Sequence, residues 1–205
     1  MKKRVAFRWS FIYQEEMHLP PKFSYDRSKS EKFVNKFIES IEKDWKNIEG
    51  KIFKIMESST RLNWKDKTLT CYVLEISSFG PISDPLTIPI KFKVDDKTYE
   101  LSKERFIDML VHELIHIFLT QNSDKLGDYL SYINSKYKNY SQNTALHVPV
   151  HAIHKEIFDR LFDKERFEKE ITASEYYSDY RLAWNIVTKR GSKKIISELR
   201  EHIKD

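Results

Sequence analysis

The sequence predicts an α+β fold in which a small mixed or antiparallel sheet packs on a long N-terminal helix and a helical C-terminal part follows. Three observations predict it. A short β-branched and aromatic run opens the chain, apolar residues then recur at three- and four-residue steps from Ser30 to Ile55, and helical patterns dominate after Ser102. At 205 residues, with 40% hydrophobic and 14% aromatic content, the chain can bury a core. It is read as one domain, with residues 1–101 supplying the strand, helix and sheet part and residues 102–205 the helical part.

Val5 to Ile12 is read as a strand that ends before the Pro20-Pro21 break. The period then changes. Phe33, Val34, Phe37, Ile38, Ile41, Trp45, Ile48, Ile52 and Ile55 describe one long amphipathic helix, in which Gly50 is tolerated or marks a break. Its apolar stripe is expected to back a sheet made of Leu69 to Ile76, Thr87 to Phe92 and a piece near Thr98 to Leu101, with Asp95-Asp96 turning between the last two. Pro85 and Pro89 flank Ile88 and remove ladder donors, which places that segment at a sheet edge. Ser102 is an expected N-cap, with Glu104 in the first turn of a helix that runs to about Leu119. Further helices are expected over Tyr129 to Tyr137, Val150 to Phe162 and Glu175 to Thr188, the last closed by Gly191. Asn122 to Gly127 and Tyr137 to Thr144 are polar connectors.

Composition excludes several classes. One cysteine, Cys71, rules out an internal disulfide framework and a four-cysteine structural zinc site, so any metal must be held by nitrogen and oxygen. No stretch approaches the roughly 18 apolar residues of a membrane span, and the N-terminus lacks a long apolar run before a small-residue cleavage site, which predicts no membrane and a cytoplasmic protein. The net charge of +5 comes from lysines scattered among acidic residues. That is a solvated mixed-charge surface first and a nucleic-acid footprint only weakly.

The chemistry is expected in the helix after Ser102, in His112-Glu113-Leu114-Ile115-His116. Residues four apart share a helix face, so His112 and His116 can aim two imidazole nitrogens at one metal ion. Glu113 is rotated about 100° from His112, beside such an ion, where it can take a proton from a metal-activated water. Zinc suits this donor set, because it accepts imidazole and keeps an open position for water. The alternative is a chance match on an amphipathic helix. The apolar flanks Met109, Leu110, Val111, Ile117, Phe118 and Leu119 argue against that, since they would bury three ionisable groups that need a partner.

Two histidines do not complete a catalytic site, and two downstream segments compete for the third position. The first, Leu146 to His154, holds three of the chain's seven histidines. Pro149 suits the first turn of a new helix, with His147 just ahead of it and His151 and His154 on one face. In the second, Glu175 would bind the metal and Asp179 would orient His112. Both also read as ordinary residues, Glu175 at a helix start capped by Ser174 and Asp179 in solvent. His151 is the expected ligand. His147, His154, Glu175 and Asp179 remain as alternative ligands or supporting groups, and His154, Tyr176, Tyr177 and Tyr180 as donors to a developing oxyanion.

At these residues the chain resembles the zincin metallopeptidases, whose shared pattern is His-Glu-x-x-His on an active-site helix preceded by a small sheet. The resemblance covers mainly positions 84–119. His147-Val148-Pro149 is similar to the His-x-Pro segment of SprT-like metallopeptidases, and Glu175 to Asp179 resembles the Glu-x-x-x-Asp helix of gluzincins such as thermolysin, so no subfamily is assigned. The resemblance implies a single zincin-like catalytic domain, a zinc metallopeptidase with Glu113 as general base, and a peptide or protein substrate bound as an extended strand along Thr87 to Phe92. The competing expectations are a non-proteolytic or DNA-associated regulatory zinc protein and a structural zinc protein whose site is closed by a fourth protein ligand.

Overall fold

The structure is a computed structural model that describes residues 4–17, 26–94 and 97–203, and it is an α+β fold. The chain divides into two compact units. One comprises residues up to Gly50 together with Asp66–Leu114, and the other Lys51–Lys65 with Ile115–Asp205. The divisions fall inside two continuous helices, α2 (Arg27–Thr60) and α3 (Lys103–Gln121).

The first unit carries the sheet. Strand β1 (Val5–Arg8) pairs in parallel with β2 (Leu69–Ser77), which pairs in parallel with β4 (Leu86–Val94). Parallel neighbours cannot be joined by a tight turn. The chain between β1 and β2 accordingly contains α1 (Phe11–Met17) and the long α2. Strands β3 (Ile82–Ser83) and β5 (Lys97–Glu100) add antiparallel pairs to β4, making a mixed sheet. The buried stripe of α2 here is Ser30, Val34, Ile38, Ile41, Trp45 and Glu49, steps of four and three. Phe7, Trp45, Phe37 and Phe106 meet edge-on or tilted at centroid distances of 5.2–6.5 Å, joining β1, α2 and α3. Glu49 is a charge in an apolar stripe, and its carboxylate is satisfied: it accepts from Trp45 Nε1 at 2.8 Å, the Val5 amide at 2.9 Å and the Arg4 amide at 3.2 Å. Gln14 acts similarly on β2, donating to the Ile76 carbonyl at 2.6 Å and accepting the Glu75 amide at 2.7 Å. Its side chain extends the ladder beyond the end of β1.

The second unit is helical and is organised around α5 (Gln142–Leu161), which packs on α4 (Gly127–Lys136), α6 (Lys164–Ser174), α7 (Ser178–Arg190) and α8 (Ser192–Glu201). α5 is buried along nearly its whole length, from Thr144 to Phe158. At the end of α2, Arg61 adopts the left-handed conformation (φ 67°) that closes a helix. Arg200 of α8 donates to the Ser59 and Ser58 carbonyls, supplying the C-terminal cation that the last turn of α2 lacks. Asn122 caps α3 by donating to the Phe118 carbonyl at 2.8 Å.

Several expectations change. The first strand stops at Arg8, because the Ser10 hydroxyl accepts the Tyr13 amide and opens α1 over Phe11 and Ile12. The long helix starts at Arg27, where Asp26 accepts the Lys29 amide, and it passes through Gly50 unbroken. Pro20-Pro21 and Asp95-Asp96 lie outside the described residues. β4 is not a sheet edge despite Pro85 and Pro89. It has β2 on one side, and β3 and β5 on the other, with Pro85 in the turn that leads from β3. The segment Thr87 to Phe92 is therefore not a free edge along which an extended peptide could add. Ser102 does cap α3, accepting the Arg105 amide at 3.2 Å, and the helix continues to Gln121. α5 begins eight residues before the expected Val150, capped by Ser141, so Pro149 lies inside the helix and His147 is helical. A helix buried on most sides shows no amphipathic period, and polar Ser-Gln-Asn-Thr reads as a loop. α6 and α8 were not anticipated, and Glu175 to Tyr177 is a turn between α6 and α7. Among the described residues, no helix is long and apolar enough to cross a membrane.

Candidate metal centre

α3 is apolar around the motif, with Leu110, Val111, Leu114, Ile115 and Phe118 nearly inaccessible, and it holds His112 and Glu113 at 7% and 8% exposure. His116 lies one turn on and is half-buried. α5 brings His147 to the same place: one nitrogen from each of His112, His116 and His147 lies within 4.8 Å of the others. The rings of His116 and His147 meet edge-on at 4.9 Å. Three histidines could hold a metal ion here.

The tautomer of His147 fits that use. Its Nδ1 lies 2.8 Å from the Asn143 carbonyl, an acceptor that fixes the proton on Nδ1 and leaves the Nε2 lone pair for a ligand. Burial, followed by repulsion from His147, lowers the pKa of His116 to about 4. Burial also lowers that of His147, against the raising effects of the Asn143 carbonyl and the Asp179 carboxylate. Both rings are thus neutral, the form that binds metal, across the physiological range. Burial raises the Glu113 pKa to about 8, so without a nearby cation this carboxyl holds its proton at neutral pH. It also acts on buried Cys71 of β2, whose thiol is pushed up by desolvation first and by Glu113 second.

The other expected site residues fall around this group. His151, 1% exposed, lies against the indole of Trp184 at 4.2 Å and 12°, and its ring is 5.6 Å from that of His147. Desolvation, then His147, His154 and His116, hold it well below the usual histidine pKa. His154 is fully buried between Phe158 and Trp184, at 4.8 and 6.0 Å. Glu175 occupies the turn after α6, and its amide donates to the Thr172 carbonyl. Asp179 accepts from Ser141 Oγ, Thr144 Oγ1 and Asn143 Nδ2 at the start of α5. Of the four oxyanion-donor candidates, Tyr180 lies against His147 at 4.3 Å, Tyr177 lies 5.5 Å beyond it, and Tyr176 and Tyr177 are exposed. Two contributors were missed in the sequence: the Asn143 carbonyl and the Trp184 ring. Asn143 stands four residues before His147, a signal that becomes visible only once α5 is known to start at Gln142.

No protein-family model, curated protein or solved structure matches this chain.

Proposed function

We propose that the chain is a zinc-dependent peptidase of zincin type, with His112, His116 and His147 as the metal ligands and Glu113 as general base. The observation that carries this reading is the convergence of three imidazoles on one point with a buried carboxyl one residue after the first of them. Three neutral nitrogen donors without a thiolate suit zinc, and three protein ligands leave a position open, as catalytic sites require. His147 takes the third place in preference to His151, whose ring lies against Trp184 instead of in the group.

A zinc ion held there would supply a Lewis acid and a water acidic enough to ionise near neutral pH. Glu113 would be the group to accept a proton from an attacking water and to return it to the leaving amine. Its raised pKa suits the second task, and the first needs the carboxylate form, which a neighbouring dication favours. His147 is held in one tautomer by Asn143 throughout. Tyr180, against the His147 ring, is the donor best placed to meet negative charge on the carbonyl oxygen.

The test is Glu113→Gln. The variant should retain one zinc per chain and lose about 10²- to 10⁴-fold in kcat on a casein substrate. A variant that keeps zinc and hydrolyses at the wild-type rate overturns the mechanism.

A further inference from the structure

We propose that Asp179 is a positioning residue for the metal centre, holding the first turn of α5 so that the Asn143 carbonyl stays on the His147 ring. This rests on the reading of His147 as a metal ligand.

The first turn of α5 contains no acidic residue, although a helix N-terminus favours one. Asp179 provides the missing charge from the first turn of α7. One carboxylate oxygen accepts from Ser141 Oγ at 2.5 Å and from Thr144 Oγ1 at 2.8 Å, and the other accepts from Asn143 Nδ2 at 3.0 Å. Ser141 is itself the N-cap of α5, accepting the Thr144 amide at 3.0 Å. A single side chain therefore ties down the cap and the first turn of the helix. These donors keep Asp179 ionised below the usual carboxylate range, with Ser141 the largest cause and Asn143 and Thr144 next.

The residue clamped through its side-chain amide is the one whose carbonyl meets His147 Nδ1 at 2.8 Å. Asn143 thus transmits the position of the carboxylate to the imidazole through its own backbone. A second contact comes from the neighbouring residue. Tyr180 follows Asp179 in the chain, and its ring lies 4.3 Å from that of His147. Fixing Asp179 fixes both the hydrogen bond to the imidazole and the ring packed against it. A surface salt bridge would do neither, and an ordinary N-cap would act on the helix without reaching the ligand.

The experiment uses the full chain loaded with Co²⁺ alone, whose visible absorption reports ligand number and symmetry. Apparent affinity is read by competition with a chelator, and thermal unfolding is followed in parallel. His147→Ala is the reference and should abolish the wild-type band. If it keeps that band, the ligand assignment fails, and the proposal fails with it. With the assignment standing, Asp179→Ala should remain folded, bind Co²⁺ about 10-fold more weakly and show a shifted band, as loss of a group supporting a ligand typically does. Wild-type affinity and spectrum in Asp179→Ala overturn the proposal. The exchange Asp179→Asn with Asn143→Asp covers the case in which Asp179→Ala does not fold. It returns a negative charge and an amide-to-carboxylate hydrogen bond to the same place, so it should recover Co²⁺ affinity to within about threefold of wild type, whereas Asp179→Asn alone removes the charge and replaces one of the two acceptor oxygens by an amide donor, and should not. A folded exchange variant that binds no better than Asp179→Asn also overturns it.

Discussion

α3 and α5 both carry histidines four residues apart, His112 with His116 and His147 with His151, yet the first helix brings both rings to the metal group and the second only one. The spacing is the same. What differs is the surface against which the second ring lies. On α5, His151 is one turn beyond His147 and meets the flat face of Trp184 from α7. His154 continues in the same direction towards Phe158. Helical spacing makes two imidazoles available to one ion, and the packing around each ring decides whether it is used.

The largest effect should separate His147 from His151 on α5. On the proposed assignment, His147→Ala removes a ligand and should lower zinc affinity by more than about 100-fold, whereas His151→Ala should cost no more than the 10- to 100-fold typical of a group outside the ligand set. The order reverses for folding. His151→Ala leaves a cavity against Trp184 and should lose on the order of 2 kcal/mol in a metal-free unfolding measurement, more than His147→Ala. Zinc stoichiometry and denaturant titration of the two variants side by side break the comparison if both lose metal equally.

That outcome bears on what could be read from the sequence. The α3 half of the centre was legible because its chemistry lies within five consecutive residues on one helix, so neither the position of another element nor the course of a loop had to be known. The α5 half was not, for two physical reasons. A helix buried from Thr144 to Phe158 has no polar face to reveal its period, and Pro149, which fits best in a first turn, displaced the expected start past His147. Choosing between His147 and His151 then required knowing where Trp184 lies, a contact across 33 residues of sequence. Of the sheet, β2, β4 and β5 were legible as strands, whereas the two-residue β3 was not expected, β1 is shorter than expected and the place of β4 was misread. There the two prolines signalled an edge, while β3 and β5 in fact pair with the ends of the strand.

Acid and alkali should act on Glu113 and on the buried histidines in opposite senses, a smaller effect than ligand loss. Burial disfavours the charged form in both, but Glu113 on α3 is charged when deprotonated and His151 on α5 when protonated. The folded-state pKa of Glu113 is raised to about 8 from 4.5, so its contribution is fully present below pH 4.5 and is lost as pH rises towards 8. The His116 and His151 values are depressed below 6.5, so their contributions are present above that pH and are lost as pH falls, down to about 4 for His116. Metal-free protein should consequently lose stability on both sides of mildly acidic pH. Glu113→Gln should flatten the alkaline limb alone, gaining up to about 5 kcal/mol at pH 9 relative to wild type. Unfolding in chelator between pH 5 and pH 9 reads this directly, and an unchanged alkaline limb in Glu113→Gln would show that the burial of α3 is not what sets it.

The smallest effect concerns the proline that sits between His147 and His151 of α5. Pro149 withholds the amide that would bond the Ala145 carbonyl, and a helix interior ordinarily tolerates this poorly. His147, however, takes its orientation from Asn143, on the N-terminal side of the proline. Pro149→Ala restores a helical donor and loosens the unfolded chain, two opposing terms, so stability should change by no more than about 1 kcal/mol in either direction. Metal affinity should stay within about threefold of wild type, because the bond that orients His147 is formed before the proline is reached. If affinity falls as far as in Asp179→Ala, Pro149 itself aims His147, and the difference between the helices would then lie in the course of the α5 backbone instead of in the ring that each histidine meets.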